Sequence, residues 1–124
     1  MPFLKRWGPA VLWMVVIYYF SASSEPFQVV PQNITIPDEI IWRIAHFFEF
    51  AILAILVGRA IMDGKDISWS SLNRIFLFSI SYGVFDELHQ SLIPGRAFQL
   101  LDLGLDVFGV LVGISLFAFS KPRV

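Results

Sequence analysis

Four long apolar stretches run along the chain, each closed by residues that end helices. Residues 7–22 follow Lys5 and Arg6, with Pro9 in the first turn, where a missing N–H costs least. Residues 23–39 contain Pro26, Pro31 and Pro37 and no Lys or Arg, so they read as a loop along an interface. The second apolar stretch covers residues 40–61, and Asp63-Gly64-Lys65-Asp66 after it is a turn signal. The third covers 73–93 and stops at Pro94-Gly95. The fourth covers 98–119 and ends in Ser120-Lys121-Pro122-Arg123. Each approaches the roughly 20 residues needed to cross a bilayer. The pattern predicts an all-α fold: one membrane domain over residues 1–124, built as a bundle of four transmembrane helices. No internal repeat or low-complexity tract interrupts it.

Composition agrees with this reading. The chain is 56% hydrophobic with mean hydropathy +0.70, more apolar than one soluble core of this length requires. Its 13 Phe and 4 Trp suit lipid contact, with Trp7, Trp42 and Trp69 near the predicted interfaces as anchors. A net charge of −1 leaves no electrostatic footprint for nucleic acid. With no Cys, disulfides and thiolate metal sites are excluded. The first stretch also resembles a signal peptide, but Trp13, Tyr18 and Tyr19 are bulky for a cleavable core, and an uncleaved helix is the preferred reading.

Basic residues orient the bundle. Lys5 and Arg6 precede the first span, Arg59, Lys65 and Arg74 flank the second connection, and Lys121 and Arg123 follow the fourth span. The first connection has none and the third has only Arg96. By the positive-inside rule both termini are predicted cytoplasmic, with residues 23–39 and 94–97 facing outward.

That topology brings distant polar residues to one depth. His46 and Glu49 lie about 6–9 residues into the second span, roughly 9–14 Å at 1.5 Å per residue. Asp86, Glu87, His89 and Gln90 lie near the outer end of the third span, and Asp102 and Asp106 near the outer start of the fourth. They also form stripes. Ser79, Tyr82, Asp86, His89 and Gln90 share a face at helical period, as do Asp102, Asp106, Gly109 and Gly113. Glu87, about 100° from Asp86, is assigned to another neighbour or to water at the helix end. Gly109-x-x-x-Gly113 reads as close helix packing, and it marks the face of the fourth helix that points inward.

Charged groups at membrane depth are costly, so they tend to be paired, interior and functional. Three chemistries fit. His46, Glu49, Asp86, His89, Asp102 and Asp106 can supply imidazole and carboxylate ligands to a divalent ion, with Zn or Mn suited to mixed N/O ligands. The competing structural reading is a hydrogen-bonded clamp between helices, in which one or more carboxyls carry a proton. Second, Asp86 and His89 can act as a general-base pair on a headgroup held by Arg96, although no nucleophile motif accompanies them. Third, Arg96, Gln90 and Glu87 can form a non-catalytic recognition site for an anionic or amide-bearing ligand. The bland alternative for Arg96 is snorkelling toward lipid phosphates. A plain helical scaffold stays open as well.

The same residues resemble the VanZ-like family of small membrane proteins. The resemblance rests on Phe20-Ser21-Ala22-Ser23-Ser24-Glu25-Pro26, on His46-Phe47-Phe48-Glu49-Phe50, and above all on Tyr82-Gly83-Val84-Phe85-Asp86-Glu87-Leu88-His89-Gln90 followed by Pro94-Gly95-Arg96. Asp102-Leu103 and Asp106-Val107-Phe108-Gly109 complete it, with Asp106 standing where many members carry Asn. The resemblance implies a multi-pass envelope protein whose founding relative is associated with low-level resistance to the glycopeptide teicoplanin. Implied partners are membrane lipids and a lipid-linked cell-wall precursor or the glycopeptide itself.

Overall fold

The computed structural model describes residues 2–22, 38–94 and 99–120, with backbone alone at 38 and 39. The expected loop at 23–37 and the Pro-Gly-Arg turn at Gly95 and Arg96 lie outside the described residues. The described residues form four helices and no strand: α1 (Phe3–Ala22), α2 (Asp38–Met62), α3 (Trp69–Ser91) and α4 (Leu100–Ser120). Their positions follow the four apolar stretches. Local chemistry sets the ends. Asp63 (φ 44°) and Gly64 (φ 81°) adopt left-handed backbone after α2, a conformation that glycine takes without steric cost. Ser68 caps α3: its side chain accepts from the Ser71 N–H at 3.2 Å, and the Ser71 hydroxyl accepts from the Ser68 N–H at 2.9 Å.

The central helix is α2, which packs against all three others. Its most extensive interface is with α4. Helix α3 touches both α2 and α4, whereas α1 lies against α2 and α3 and makes no interface with α4 among the described residues. Fully buried Phe50, Leu53, Ala54 and Val57 of α2 meet Ala10 and Ile17 of α1, Ile75 of α3, and Val110 and Phe117 of α4.

Small residues decide how closely α4 approaches. A Cβ added at Gly109 would fall on the Phe47 carbonyl oxygen and lie 3.3 Å from the Ala51 nitrogen. One at Gly113 would fall on the Ala51 carbonyl oxygen and lie 2.9 Å from the Ala54 Cβ. Both obstacles are chiefly backbone, which cannot swing aside as a flexible side chain can. The Gly-x-x-x-Gly stripe therefore faces inward as its spacing predicts, and it lets two helix backbones touch.

Helix α1 is fastened by donors reaching main-chain carbonyls. Trp13 Nε1 donates to the Glu49 carbonyl at 2.9 Å, and the Tyr82 hydroxyl donates to the Met14 carbonyl. At the helix end holding its first residues, Arg6 Nε donates to the Ala60 carbonyl, and Arg59 Nη2 donates to the Lys5 carbonyl at 3.3 Å. Arg6 also lies 3.8 Å from the Asp63 carboxylate.

The apolar core is accompanied by an apolar exterior, unlike that of a water-soluble bundle. Large apolar side chains are exposed on every helix: Leu12, Val15 and Tyr19 on α1, Ile44 and Phe48 on α2, Leu77, Phe85 and Leu88 on α3, Phe108 and Leu116 on α4. The interior holds Asp86, Glu87, Asp106, Gln90 and His46, none more than 5% exposed. By length and composition, two of the described helices are apolar enough to cross a bilayer, α2 over Ile40–Met62 and α4 over Leu100–Ser120, each with mean hydropathy 2.0. Helix α3 carries Asn73, Arg74, Asp86, Glu87, His89 and Gln90 within 23 residues, and these polar groups lower its mean hydropathy.

Candidate functional site

The buried polar groups gather at one end of the bundle. Ser21 closes α1, His46 lies in the first third of α2, Asp86 to Gln90 form the last turn of α3, and Asp106 is two turns into α4. Helix periodicity explains the α3 contribution. Ser71, Ile75, Ser79, Gly83 and Glu87 recur every four residues and are all buried; Asp86 and Gln90 line the adjoining edge of that stripe. Gly83 leaves room beneath: a Cβ there would meet a Phe50 ring carbon at 3.3 Å and Asp106 Oδ2 at 3.4 Å.

His46 is the hub. Its Nδ1 lies 3.2 Å from Asp106 Oδ1, and its Nε2 lies 3.2 Å from Gln90 Nε2. The Gln90 amide nitrogen also stands 3.3 Å from Asp86 Oδ2 and 3.3 Å from the Ser21 hydroxyl, so its two hydrogens are shared among three acceptors. Gln90 thereby joins three helices. A proton on His46 Nδ1, donated to Asp106, leaves Nε2 free to accept from Gln90, so this tautomer satisfies both contacts. The His46 ring stacks on Phe50, with centroids 6.5 Å apart and planes 11° from parallel.

Ligand atoms from His46, Glu87 and Asp106 lie within 4.8 Å of one another, and all three residues are buried. Neither Glu87 oxygen has a hydrogen-bond partner, and neither does Asp106 Oδ2. No lysine or arginine is buried with them among the described residues. An ionised carboxylate removed from water costs several kcal/mol unless a cation or good hydrogen bonds offset the loss. Acidic groups at this density therefore mark a place where something positive or proton-bearing belongs.

The structure sorts the other candidates. Glu87, read from the sequence as turned toward another neighbour or water, is fully buried beside His46 and Asp106. The physical reason is that the buried face is broad: Ser79, Asp86 and Gln90 of the expected stripe lie on it together with Gly83 and Glu87, while Tyr82 and His89 fall on the flank toward α1. His89 lies on the flank toward α1. Its ring is 4.5 Å from Tyr18 and 6.3 Å from Phe85, and its Nδ1 is buried without a partner. Asp102 sits at the margin, its Oδ1 4.0 Å from Arg43 Nε. Glu49 is half-buried on α2, where its main-chain carbonyl receives the Trp13 indole. Tyr82, on the expected polar stripe, turns to α1 through its hydroxyl. Of the six metal-ligand candidates, His46 and Asp106 meet, Asp86 adjoins them through Gln90, and Glu87 joins them from the recognition set. Arg96 lies outside the described residues.

No curated protein and no solved structure matches this chain. A family match does exist, and it takes in every helix that contributes to the cluster. Residues 7–121 match the VanZ/LLP1 family model, and the chain belongs to that family.

Proposed function

We propose that this protein is a four-span VanZ-like protein of the bacterial cell envelope, with both termini cytoplasmic and its polar cluster near the outer face. There it engages the polar headgroup of a lipid-linked cell-wall precursor and so modulates susceptibility to glycopeptides such as teicoplanin. One observation carries the reading: charged groups are interior while large apolar side chains cover the outside of all four helices, including α1 and α3. In water such a surface is an aggregation hazard; in lipid it is the solvated face. Exposed Val15 and Tyr19 on α1, and Leu77, Phe85 and Leu88 on α3, make the two less apolar helices lipid-facing as well.

The helix ends support the orientation. Lys5, Arg6, Arg59 and Lys65 lie at the end opposite His46, Glu87 and Asp106. A positive-inside arrangement then puts the cluster toward the outside. Headgroup contact falls to Arg96 as an anion-binding fork, because Gln90 is 3% exposed and its amide already faces His46, Asp86 and Ser21. A second reading, chemistry on the same headgroup, is favoured by the converging His46, Glu87 and Asp106.

Cysteines placed singly at Gln32, Ala97 and Gly64 test the topology. In intact cells an impermeant thiol reagent labels Gln32→Cys and Ala97→Cys but spares Gly64→Cys. The reverse pattern overturns the orientation and the outer-face site with it. Function is tested in a teicoplanin-sensitive host expressing the protein. Wild type raises the inhibitory concentration, and Arg96→Ala returns it to the empty-vector value at equal expression. A wild-type protein with no effect on glycopeptide susceptibility overturns the glycopeptide reading.

A further inference from the structure

We propose that His46, Glu87 and Asp106 bind one divalent transition-metal ion, with Gln90 positioning the imidazole from behind. The cluster alone is not the argument. Glu87 is fully buried with both carboxylate oxygens unpartnered, and its ligand-type oxygen faces those of Asp106 and the His46 ring within 4.8 Å. Asp106 Oδ2 is a third buried oxygen without a partner. A proton on Glu87 would remove its charge and let it donate to one acceptor, such as Asp106 Oδ2, but the other Glu87 oxygen would still lack a partner. A divalent ion removes the charge and occupies the oxygens together. Within the ligand set, two carboxylates, a neutral imidazole and M²⁺ sum to zero, the state that a low-dielectric interior favours, and Asp86 beyond Gln90 is the one buried carboxyl outside that set among the described residues.

The geometry is near that of a site. Ligand atoms about 2.0–2.2 Å from a metal are held roughly 3–3.5 Å apart in tetrahedral or octahedral coordination. His46 Nδ1 and Asp106 Oδ1 already stand at 3.2 Å. Glu87, on a flexible two-carbon stem, has under about 2 Å to travel by rotamer adjustment. Mixed imidazole and carboxylate ligands select Zn²⁺ or Mn²⁺ over Ca²⁺, and three protein ligands leave coordination positions open. Ligation through Nδ1 moves the ring proton to Nε2. Gln90, 3.2 Å from Nε2, then accepts it by turning its amide oxygen toward the ring, the outer-shell contact that metal-bound histidines usually make.

This inference needs the cluster but neither the outer-face topology nor a headgroup ligand, so its failure is separate from theirs. The test uses full-length protein in detergent, free of affinity tag and chelator-stripped, titrated with Mn²⁺ and Zn²⁺. One ion binds per chain, and the melting temperature rises with metal concentration. Pulsed electron paramagnetic resonance of the Mn²⁺ form detects a single imidazole nitrogen. Glu87→Gln weakens binding at least about tenfold, and Gln90→Ala weakens it about 10–100-fold, as removal of outer-shell partners does. His89→Gln leaves affinity unchanged, which separates this site from one built on Asp86 and His89. Wild-type protein with no bound ion and no shift in melting overturns the proposal, whatever the variants do. So does Mn²⁺ bound without nitrogen coupling, or affinity lost on His89→Gln. If Glu87→Gln does not fold, the wild-type stoichiometry and nitrogen coupling decide alone.

Discussion

The two ends of the bundle hold comparable numbers of charged side chains and handle them in opposite ways. At the end with Lys5, Arg6, Arg59, Asp63 and Lys65, charges are exposed or half-exposed, and their pairing is loose: Arg6 and Asp63 are 3.8 Å apart with side chains 32% and 22% exposed. Water or lipid headgroups solvate them, and each contact is worth little. At the other end Asp86, Glu87 and Asp106 are each at most 1% exposed. On the four-span reading, charge at the first end serves address and anchoring. At the second, desolvation makes every unsatisfied oxygen expensive, and on the metal proposal the bound ion offsets that cost.

The comparison breaks most severely if the cluster end can be pulled apart without penalty. Gly109→Leu drives a side chain into the Phe47 carbonyl and must push α4 off α2, separating Asp106 from His46. A loss above about 3 kcal/mol is expected, beyond ordinary overpacking because the obstacle is backbone. Thermal unfolding in detergent measures it, and a wild-type melt would show that α4 does not approach α2 this closely.

A smaller change sharpens the contrast. In metal-free protein Glu87→Gln keeps the size of the side chain and removes a buried charge. It should be neutral or stabilising, by up to about 2 kcal/mol, since buried charges are poor contributors to stability. A marked drop in the metal-free melting temperature would mean that Glu87 is part of a structural clamp. Smallest of all is Asp63→Asn at the solvated end, where the change should stay within about 0.5 kcal/mol. A larger loss there, measured in the same melts, would erase the distinction between the two ends.

Much of the architecture was legible beforehand because lipid-length apolar stretches and turn residues are coarse signals. Residues 40–61 and 73–93 anticipate α2 (Asp38–Met62) and α3 (Trp69–Ser91) to within a turn or so. Gly109 and Gly113 indicated the inward face of α4 correctly, because only close packing favours glycine at that spacing in a helix. The site was less legible. Two adjacent acids, Asp86 and Glu87, differ by about 100°, and the expected stripe through Ser79, Tyr82, Asp86, His89 and Gln90 shares Ser79, Asp86 and Gln90 with the buried face but leaves out Gly83 and Glu87. The small residues were the better guide: Ser79 and Gly83 make room for neighbours, so the face they occupy is the packed face. Tyr82 and His89 instead serve the flank against α1, where an aromatic ring and a hydroxyl fit a partner helix. Asp102 and Arg43 meet across the α2–α4 margin at 4.0 Å, a pairing that no spacing within either helix could reveal.

The uneven apolarity of the four helices bears on how the protein is made. By length and composition α2 and α4 are apolar enough to cross a membrane, and α3, which lies between them in the chain, falls short of the same measure. On the four-span reading, α3 leaves the insertion machinery carrying Asp86 and Glu87 with no neighbour yet in place to receive them. Its entry becomes favourable once α2 is waiting and α4 has been synthesised. Synthesis order then matters. The last span to emerge closes the bundle and draws its predecessor fully into the bilayer, so a chain stalled before Leu100 should leave α3 outside the membrane and open to quality-control proteases.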